Sequence, residues 1–347
     1  MDFSFSDEQK NIRQLAAKAF ANSQAGNAQS QWTELVRAGL TGVAIPTECG
    51  GSGLGFLELC CLFVEAGRAA SSTPLVPSLL GAMALDHCGE RALLPAIAEG
   101  KKLAVALSEP AGNHPLRPAT YAEAQNSGWR LFGEKTCVAA ADEAVSILVS
   151  ARASDRVALF AIDPSSPGCK IERQIATDDS AIFQVTLSNA SAKQIGDADA
   201  VTWLSERLRT GYAAVALGIA ERQVEMIGRY VVERRQFDKP IGAFQAVAQR
   251  AADAYIDVEA MRLSLWQAAF KLATTADAPS ESLVAGFWAA EAGQRVAVAA
   301  QHLHGGVGFD RAYPLHRYFL LAKQIELQLG GATCQLAELG KIQCRTN

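Results

Sequence analysis

Residues 232–245 read VERRQFDKPIGAFQ, and this stretch separates two segments with helical periodicity. The first segment ends in a cationic cluster, and Pro240 and Gly242 predict a turn. After the turn, apolar residues recur at steps of three and four, which predicts one apolar stripe on a helix of about thirty residues. These residues are Phe244, Val247, Ala251, Tyr255, Val258, Met261, Leu265, Ala269 and Leu272. So long a helix is typical of a helix bundle.

The middle of the chain has a different period. Residues 102–197 contain short runs rich in β-branched and aromatic residues, at 103–107, 129–132, 146–149, 157–162 and 182–187. Since no helical pattern lies between the runs, they predict an antiparallel barrel or sandwich rather than a βαβ unit. Residues 1–101 are predicted to be helical, beginning at a capping box formed by Ser6 and Gln9.

These patterns predict a mainly α protein with a central antiparallel β domain. The predicted divisions are an N-terminal helical domain at 1–101, a middle β-barrel domain at 102–197 and a C-terminal four-helix bundle at 198–347. The length of 347 residues agrees with more than one domain.

Composition excludes several classes of function. The chain has 32 Lys and Arg residues against 36 Asp and Glu residues, so it carries no cationic surplus for nucleic acid. It lacks a run of about 18 apolar residues for a membrane span, and its first residues do not resemble a signal peptide, so we expect a cytoplasmic protein. The imidazoles of His302 and His304 would point about 200° apart on a helix, and no metal site is predicted.

Several stretches occur in the order found in one family. Residues 234–246 fit R-x-x-F-x-x-P-I-G-x-F-Q-A, and residues 304–309 read HGGVGF. Further matches are Phe3 with residues 6–9, residues 42–46 with Gly50 and Gly51, and residues 107–110, which read LSEP. With these motifs the whole chain resembles the flavin-dependent acyl-CoA dehydrogenases, and the helix–strand–helix order of that family is the order predicted above.

The resemblance implies an enzyme system that oxidises an acyl-CoA thioester to the 2,3-enoyl-CoA. In the family a glutamate removes the α-proton, and N5 of FAD accepts the β-hydride. The implied substrate is an acyl-CoA, and the implied electron acceptor is an electron-transfer flavoprotein or a similar protein.

The resemblance also implies residues that bind FAD. Arg234 and Gln245 match residues that contact the pyrophosphate, and Phe237 matches an aromatic residue near the adenine. Gly305 and Gly306 match the family's double glycine, and His302 stands where the family usually has Gln. Ser108 matches a position near the pyrimidine edge of the flavin.

Other positions of the family site are altered. Residues 137–139 read CVA where the family has Trp-x-Thr over the flavin ring, and Asp238 replaces a glycine. Ala312 replaces a Glu, and residues 320–321 are Leu-Leu in place of Arg-Asp.

In the family, the catalytic base occurs at one of two locations, and this chain has no carboxylate at either. One location corresponds to residues 327–333, and the other corresponds to Leu208. Glu326 and Glu206 are close in sequence to these two locations and are the weak candidates for a catalytic base.

The favoured interpretation is the non-catalytic subunit of a heteromeric α2β2 acyl-CoA dehydrogenase, similar to those acting on steroid side-chain CoA thioesters. A paralogous catalytic subunit would hold the base and the flavin ring, and this chain would complete the FAD site. The alternatives are a self-sufficient dehydrogenase with a relocated Glu base, and a flavin monooxygenase on the same fold.

Overall fold

The computed structural model describes residues 4–110, 112, 114–125, 128–275 and 278–344. Helices occupy both ends of the described chain and strands its middle, which confirms the predicted order. The helices are α1 (Asp7–Asn22), α2 (Ala28–Arg37), α3 (Phe56–Arg68), α4 (Leu75–His87), α5 (Leu94–Ala98), α6 (Ala198–Glu233), α7 (Gln245–Thr274), α8 (Pro279–His304), α9 (Leu315–Gln328) and α10 (Gly331–Gln343). The strands are β1 (Lys102–Ala106), β2 (Tyr121–Gln125), β3 (Gly128–Ala139), β4 (Ala144–Ala153), β5 (Arg156–Ile162), β6 (Cys169–Gln174), β7 (Ile182–Gly196), β8 (Arg235–Gln236) and β9 (Lys239–Pro240).

The chain divides into two compact units. The first comprises Met1–Gly26, Cys60–Ser72 and Arg209–Asn347, and the second comprises Asn27–Leu59 and Thr73–Leu208. The boundaries predicted at residues 101 and 197 fall beside the first residue of β1 and the last residue of β7, and the three-domain division itself stays a prediction. Among the described residues, no helix has the length and apolar character that crossing a membrane requires.

The second unit contains a seven-stranded sheet whose pairings follow a closed path through β4, β2, β3, β7, β5 and back to β4. Most of these pairings are antiparallel, as predicted, but β1 and β2 both run parallel to β4. The two strands follow each other along one edge of β4, where β1 pairs with residues 144–149 and β2 with residues 152–153. The sheet is therefore mixed, with both parallel and antiparallel pairings. Strands β1 and β2 run in the same direction along this edge of β4, and a connection joins the end of β1 to the start of β2.

A buried ion pair closes that connection. The carboxylate of Glu109 accepts hydrogen bonds from the backbone N–H groups of Ala119 (2.6 Å) and Thr120 (3.0 Å), so it ties the beginning of the connection to its end. The ammonium group of Lys135 on β3 lies 2.7 Å from the same carboxylate and is fully buried. Burial lowers the pKa of Lys135 to about 8, and the bond from Lys135 keeps the pKa of Glu109 below its ordinary value although burial opposes this.

In the first unit, α3 and α6 meet through a reciprocal pair of glycines. A Cβ added at Gly67 would lie 2.0 Å from the carbonyl oxygen of Val215, and one added at Gly218 would lie 1.9 Å from that of Val64. No real Cβ comes so close to an oxygen, so the two backbones approach as only glycine permits.

A network of charged side chains lies beside this glycine contact. The Arg68 guanidinium on α3 contacts the carboxylates of Glu221 (3.0 Å) and Glu225 (2.7 Å) on α6. Arg262 on α7 pairs with the other oxygen of Glu221. Hydrogen bonds from Arg68 and Arg222 hold the pKa of Glu225 below its ordinary value, although burial opposes this. The network fixes the rotation of α6 relative to its neighbours in this unit.

The predicted apolar stripe of α7 is buried along its C-terminal half, where Val258, Met261, Leu265, Ala269 and Leu272 enter the core. Tyr255 was predicted to lie in the same stripe, but it is exposed. The reason is that Tyr255 lies about 100° around the helix from Ala254, at the edge of the face on which Ala254, Val258 and Met261 are buried.

A second apolar row on α7 was not predicted. Ile256, Leu263 and Phe270 are seven residues apart, which is about two helical turns, and all three are exposed. Leu263 retains 72% of its accessible surface. An exposed apolar row of this kind is typical of a surface that another protein covers.

We expect Gly218→Ala to lower the free energy of unfolding by about 3 kcal/mol, because its methyl group would overlap the Val64 carbonyl. Gly228→Ala on the same helix is the matched control: beyond the local helix backbone, no atom of a described residue lies within 4 Å of its added Cβ, and it should stabilise the protein by about 0.5–1 kcal/mol. Urea unfolding followed by circular dichroism measures both. Equal effects of the two substitutions would contradict the backbone contact.

Glu109→Gln should destabilise the second unit by about 3–5 kcal/mol, because it leaves the Lys135 ammonium buried without a counter-charge. The double variant Glu109→Gln/Lys135→Met should recover at least half of the loss, since it removes the buried charge as well. Thermal unfolding of the three proteins tests this. A double variant no more stable than the single variant would show that the pair is not the cause.

Candidate functional site

The stretch that joins α6 to α7 forms a tight hairpin. Strands β8 and β9 pair through Arg235 with Pro240 and Gln236 with Lys239. The turn lies at Phe237 and Asp238, whose φ angles are 50° and 66°. It was predicted at Pro240 and Gly242 instead; Pro240 belongs to β9, because a fixed φ is tolerated at the end of a short edge strand. The left-handed φ of Asp238 explains why the family has glycine there, and Asp is among the residues that tolerate this conformation.

The turn presents an aromatic ring to solvent. Phe237 retains 86% of its accessible surface. Its ring meets that of Phe244 edge to face, with centroids 6.2 Å apart, and the Lys239 ammonium lies 4.4 Å from the Phe244 centroid. Phe244 and Lys239 therefore support the hairpin and leave Phe237 free for contact with a flat ligand.

Arg234 is held by its backbone and not by its side chain. Its N–H donates to the Tyr230 carbonyl (2.8 Å), and its own carbonyl accepts from the Ile241 N–H (2.8 Å). The Arg234 guanidinium is exposed and has no hydrogen bond or ion pair with any residue that the structure describes. Gln245, the first residue of α7, is also exposed. A free guanidinium and a free amide suit an anion with several oxygen atoms.

A second part of the site lies at the C-terminal end of α8. His302 is exposed, and His304 is buried with 2% of its surface accessible. After His304 the chain turns at Gly305, with φ of 59° and ψ of −138°, which glycine tolerates. Apart from its chain neighbours, a Cβ added at Gly305 or Gly306 would meet no atom of the described residues within 4 Å, so a ligand could reach the backbone there.

Stacked aromatic rings join the two parts. The Tyr230 ring on α6 stacks on His304 with centroids 4.4 Å apart, and Tyr313 packs against His304 at 5.4 Å. Arg234, where the hairpin begins, therefore lies four residues after Tyr230. The double glycine, Gly305 and Gly306, follows directly after His304. His302 also lines the same cleft as Ala246, the neighbour of Gln245.

His304 has a defined tautomer. Its Nδ1 lies 2.8 Å from the Ala300 carbonyl oxygen, and because a carbonyl only accepts, Nδ1 donates and Nε2 carries the lone pair. Nε2 is buried and has no partner among the described residues. Burial lowers the pKa of His304, although the hydrogen bond to Ala300 opposes this.

Sequence analysis missed Tyr230, His304 and Tyr313 as supports of the site. His304 was considered as a metal ligand together with His302 and as the first residue of the HGGVGF motif, but not as a support of the site; its ring is buried, whereas that of His302 is exposed. In the described part of the chain, no group of three His, Cys, Asp or Glu side chains is arranged to hold a metal ion. The spacing from Tyr230 to His304 is too large for a local motif to indicate their stacking.

Ser108 belongs to the second unit. It is half-buried, and its carbonyl accepts a hydrogen bond from the Thr136 N–H (3.0 Å). Cys137, the residue after Thr136, lies in a bulge of β3 with a φ of 56° and is exposed. Its N–H donates to the Gln174 side-chain oxygen (2.9 Å). A cysteine presents little surface for covering a three-ring system.

The two weak candidates for a base are not free carboxylates. Glu206 is buried, with 3% of its surface accessible, and has an interaction partner. Glu326 accepts a hydrogen bond from the Lys323 ammonium (2.5 Å) one turn earlier on α9.

His304→Phe should keep the ring stack and remove a titrating group. Since burial lowers the folded pKa of His304, the wild-type protein loses stability as the pH falls below about 6.5, the ordinary value for histidine. We expect this loss to be smaller in the variant. Urea unfolding at pH 5 and pH 8 measures it, with Tyr313→Phe as the control that should keep the wild-type dependence. An unchanged pH dependence in His304→Phe would contradict the assignment.

Comparisons with known proteins give the family. Residues 6–101 match the acyl-CoA dehydrogenase N-terminal domain, and residues 199–341 match the acyl-CoA dehydrogenase C-terminal domain. The acyl-CoA dehydrogenase FadE27 of Mycobacterium tuberculosis is 38% identical over 89% of this chain and 87% of its own length.

Two solved structures extend the comparison. A Tcur3481–Tcur3483 steroid ACAD is 38% identical, with a TM-score of 0.93 and 98% of each chain covered. The ChsE4–ChsE5 complex from Mycobacterium tuberculosis is 34% identical, with a TM-score of 0.93 and 100% of each chain covered. The family is FAD-dependent, which agrees with the predicted cofactor. The chain belongs to the acyl-CoA dehydrogenase family.

Proposed function

We propose that this chain is the non-catalytic subunit of a heteromeric acyl-CoA dehydrogenase. A paralogous subunit carries the base and the flavin ring, and this chain binds the nucleotide tail of the FAD of its partner. The complex desaturates an acyl-CoA thioester between its α and β carbons. Its electrons pass to an electron-transfer flavoprotein or a similar acceptor.

The observation that carries this proposal is the exposed Arg234 guanidinium beside the exposed Phe237 ring, on a chain whose family base positions hold no carboxylate. A cation without an ion pair in the described chain and an aromatic ring that is 86% exposed suit the diphosphate and the adenine of a dinucleotide. His302 and the accessible backbone at Gly305 and Gly306 add donors at the other part of the site. The residues present therefore fit the tail of FAD.

The separate roles of the two subunits follow from the chemistry of acyl-CoA oxidation. FAD, when bound, supplies the two-electron oxidation that no amino-acid side chain can perform. Arg234 and Gln245 would bind and orient the diphosphate, and Phe237 would exclude water from one face of the adenine. Leu208 and residues 327–333 offer no group to take up the α-proton, so the proton acceptor is assigned to the partner.

The relatives support a heteromeric assembly. The ChsE4–ChsE5 complex and the Tcur3481–Tcur3483 steroid ACAD are each named as pairs of chains, and the latter as acting on steroids. We therefore propose an α2β2 assembly with a CoA thioester of a steroid side chain as substrate. The exposed row of Ile256, Leu263 and Phe270 provides apolar surface that assembly would cover.

Expressed alone, the chain should bind little FAD and oxidise no acyl-CoA. Co-expressed with its paralogue, it should form a yellow, active complex with about one FAD for each pair of unlike chains, because only one chain of the pair accommodates the ring. Flavin absorbance, subunit mass and reduction of an artificial acceptor measure this. Tight FAD binding and turnover by this chain alone would establish the self-sufficient alternative, and oxygen-dependent turnover with reduced FMN would establish the monooxygenase.

Arg234→Ala should weaken FAD binding by the complex roughly 10-fold to 150-fold, since a hydrogen bond to a charged group contributes about 1.5–3 kcal/mol. Arg235→Ala is the matched control: it removes the same charge one residue away, but its guanidinium is turned back onto the Asp238 carbonyl (2.8 Å). Titration of the apo-complex with FAD gives both affinities. Equal losses in the two variants would mean that Arg234 acts only through general charge.

A further inference from the structure

The hairpin between α6 and α7 carries one carboxylate that the proposed function leaves unused. Asp238 is the only acidic residue in the stretch 234–245. Its side chain is exposed and has no hydrogen bond or ion pair with any part of the chain that the structure describes. An ionised carboxylate only accepts hydrogen bonds, and its two oxygens have room for several donors. The acceptor sites of Asp238 are therefore open to another molecule.

Asp238 lacks an ion pair although cations lie close to it along the chain. Arg235 precedes it by three residues, and Lys239 follows it directly. The Arg235 guanidinium donates to the backbone carbonyl oxygen of Asp238 (2.8 Å) and not to its carboxylate. The Lys239 ammonium lies 4.4 Å from the centroid of the Phe244 ring. Both cations are thus directed to other groups, and the carboxylate keeps its charge for an outside partner.

The two turn residues are not the ones that the turn itself favours. Phe237 and Asp238 both have a positive φ, and a two-residue hairpin turn with this backbone favours Asn and Gly. A phenylalanine there costs conformational energy, and its ring is 86% exposed. At position 238 the family's glycine would adopt the same φ without cost. The side chains at these two positions are therefore better explained by a ligand than by the turn.

The order of groups along the hairpin agrees with the order of groups along the nucleotide tail. In FAD the adenosine ribose joins the adenine to the diphosphate. Since the proposed contacts are Phe237 with the adenine and Arg234 with the diphosphate, the ribose falls between them, within reach of the residue next to Phe237. The ribose has two hydroxyl donors, and an acidic side chain is a usual acceptor for them in nucleotide sites. Such bonds are strong because the acceptor is ionised.

We infer that the Asp238 carboxylate accepts hydrogen bonds from the 2′- and 3′-hydroxyl groups of the adenosine ribose of FAD. The inference rests on the proposed function and adds a specificity to it. Coenzyme A also contains an adenosine diphosphate, but its ribose carries a phosphate at the 3′ position. A carboxylate at the ribose repels this phosphate, so Asp238 keeps the nucleotide of the acyl-CoA out of the FAD site.

The first test is the affinity of the apo-complex for FAD in two variants. Asp238→Gly is compatible with the positive φ and removes the carboxylate, and Asp238→Asn keeps one acceptor oxygen without the charge. We expect Asp238→Gly to weaken FAD binding about tenfold and Asp238→Asn to weaken it less. Glu233→Gln is the matched control, since it removes the charge of an exposed carboxylate just before the hairpin, and it should not weaken binding.

The second test separates a contact with the ribose from an effect on the turn. Displacement of FAD by ADP, by 2′,3′-dideoxy-ADP and by ADP with an added 3′-phosphate gives three affinities for each complex. The wild-type complex should bind ADP about tenfold more tightly than either analogue. This preference should disappear in Asp238→Gly, because no carboxylate is left to accept from the hydroxyl groups or to repel the phosphate. Circular dichroism and subunit mass show whether each variant is folded and assembled.

Tighter FAD binding by Asp238→Gly would overturn the inference, because it would mean that the carboxylate only repels the diphosphate. Unchanged FAD binding by this variant would also overturn it, and so would a wild-type complex that binds ADP and 2′,3′-dideoxy-ADP equally. These results leave the proposed function standing as long as Arg234→Ala weakens FAD binding. An Arg234→Ala complex that binds FAD as tightly as the wild type would instead contradict the proposed function.

Discussion

The close approach of α3 and α6 at Gly67 and Gly218 is the constraint on which the first unit depends. Because each glycine meets a carbonyl of the other helix, the two axes have one permitted distance and one permitted offset. The Arg68 ion pairs with Glu221 and Glu225 then set the rotation of α6. Because these contacts fix the distance, offset and rotation of α6 relative to α3, they also fix the position of the C-terminal end of α6.

That C-terminal end is where the candidate site begins. Tyr230 stacks on His304, so the position of α6 also determines the position of the last turn of α8. Arg234 and Phe237 follow on one side of this contact, and Gly305 and Gly306 follow on the other. Aromatic and ionic contacts within the first unit thus support residues that are themselves exposed. A chain that exposes binding groups and has no carboxylate at the family's base positions is suited to complete a site on another chain.

The sequence predicted the order of helices and strands because hydrophobic period is a local property. It predicted the exposed residues of the hairpin only through family resemblance, since Arg234 near a helix end would otherwise be assigned to the helix dipole. It could not predict the parallel pairing of β1 and β2 with β4. That pairing depends on Glu109 tying together residues that lie ten positions apart, and hydrophobic alternation carries no information on strand direction.

Contacts between distant residues explain the other differences. The exposure of Tyr255 depends on which face of α7 is covered by α8, and the stack of Tyr230, His304 and Tyr313 joins three separate segments. The positive φ of Asp238 agrees with the family's glycine at that position, although the turn was predicted at Pro240 and Gly242. The seven-residue spacing of Ile256, Leu263 and Phe270 was present in the sequence, but the buried stripe of the same helix obscured it.

Hydrogen–deuterium exchange of the heteromeric complex, with and without FAD, tests the central claim most directly. FAD should slow amide exchange in the peptides of this chain that contain residues 234–245 and 301–309, and it should leave the peptides around Ser108 and Cys137 unchanged. The opposite pattern, with protection around Ser108 and Cys137 and none at the hairpin or the double glycine, would place the flavin ring in this chain and contradict the account.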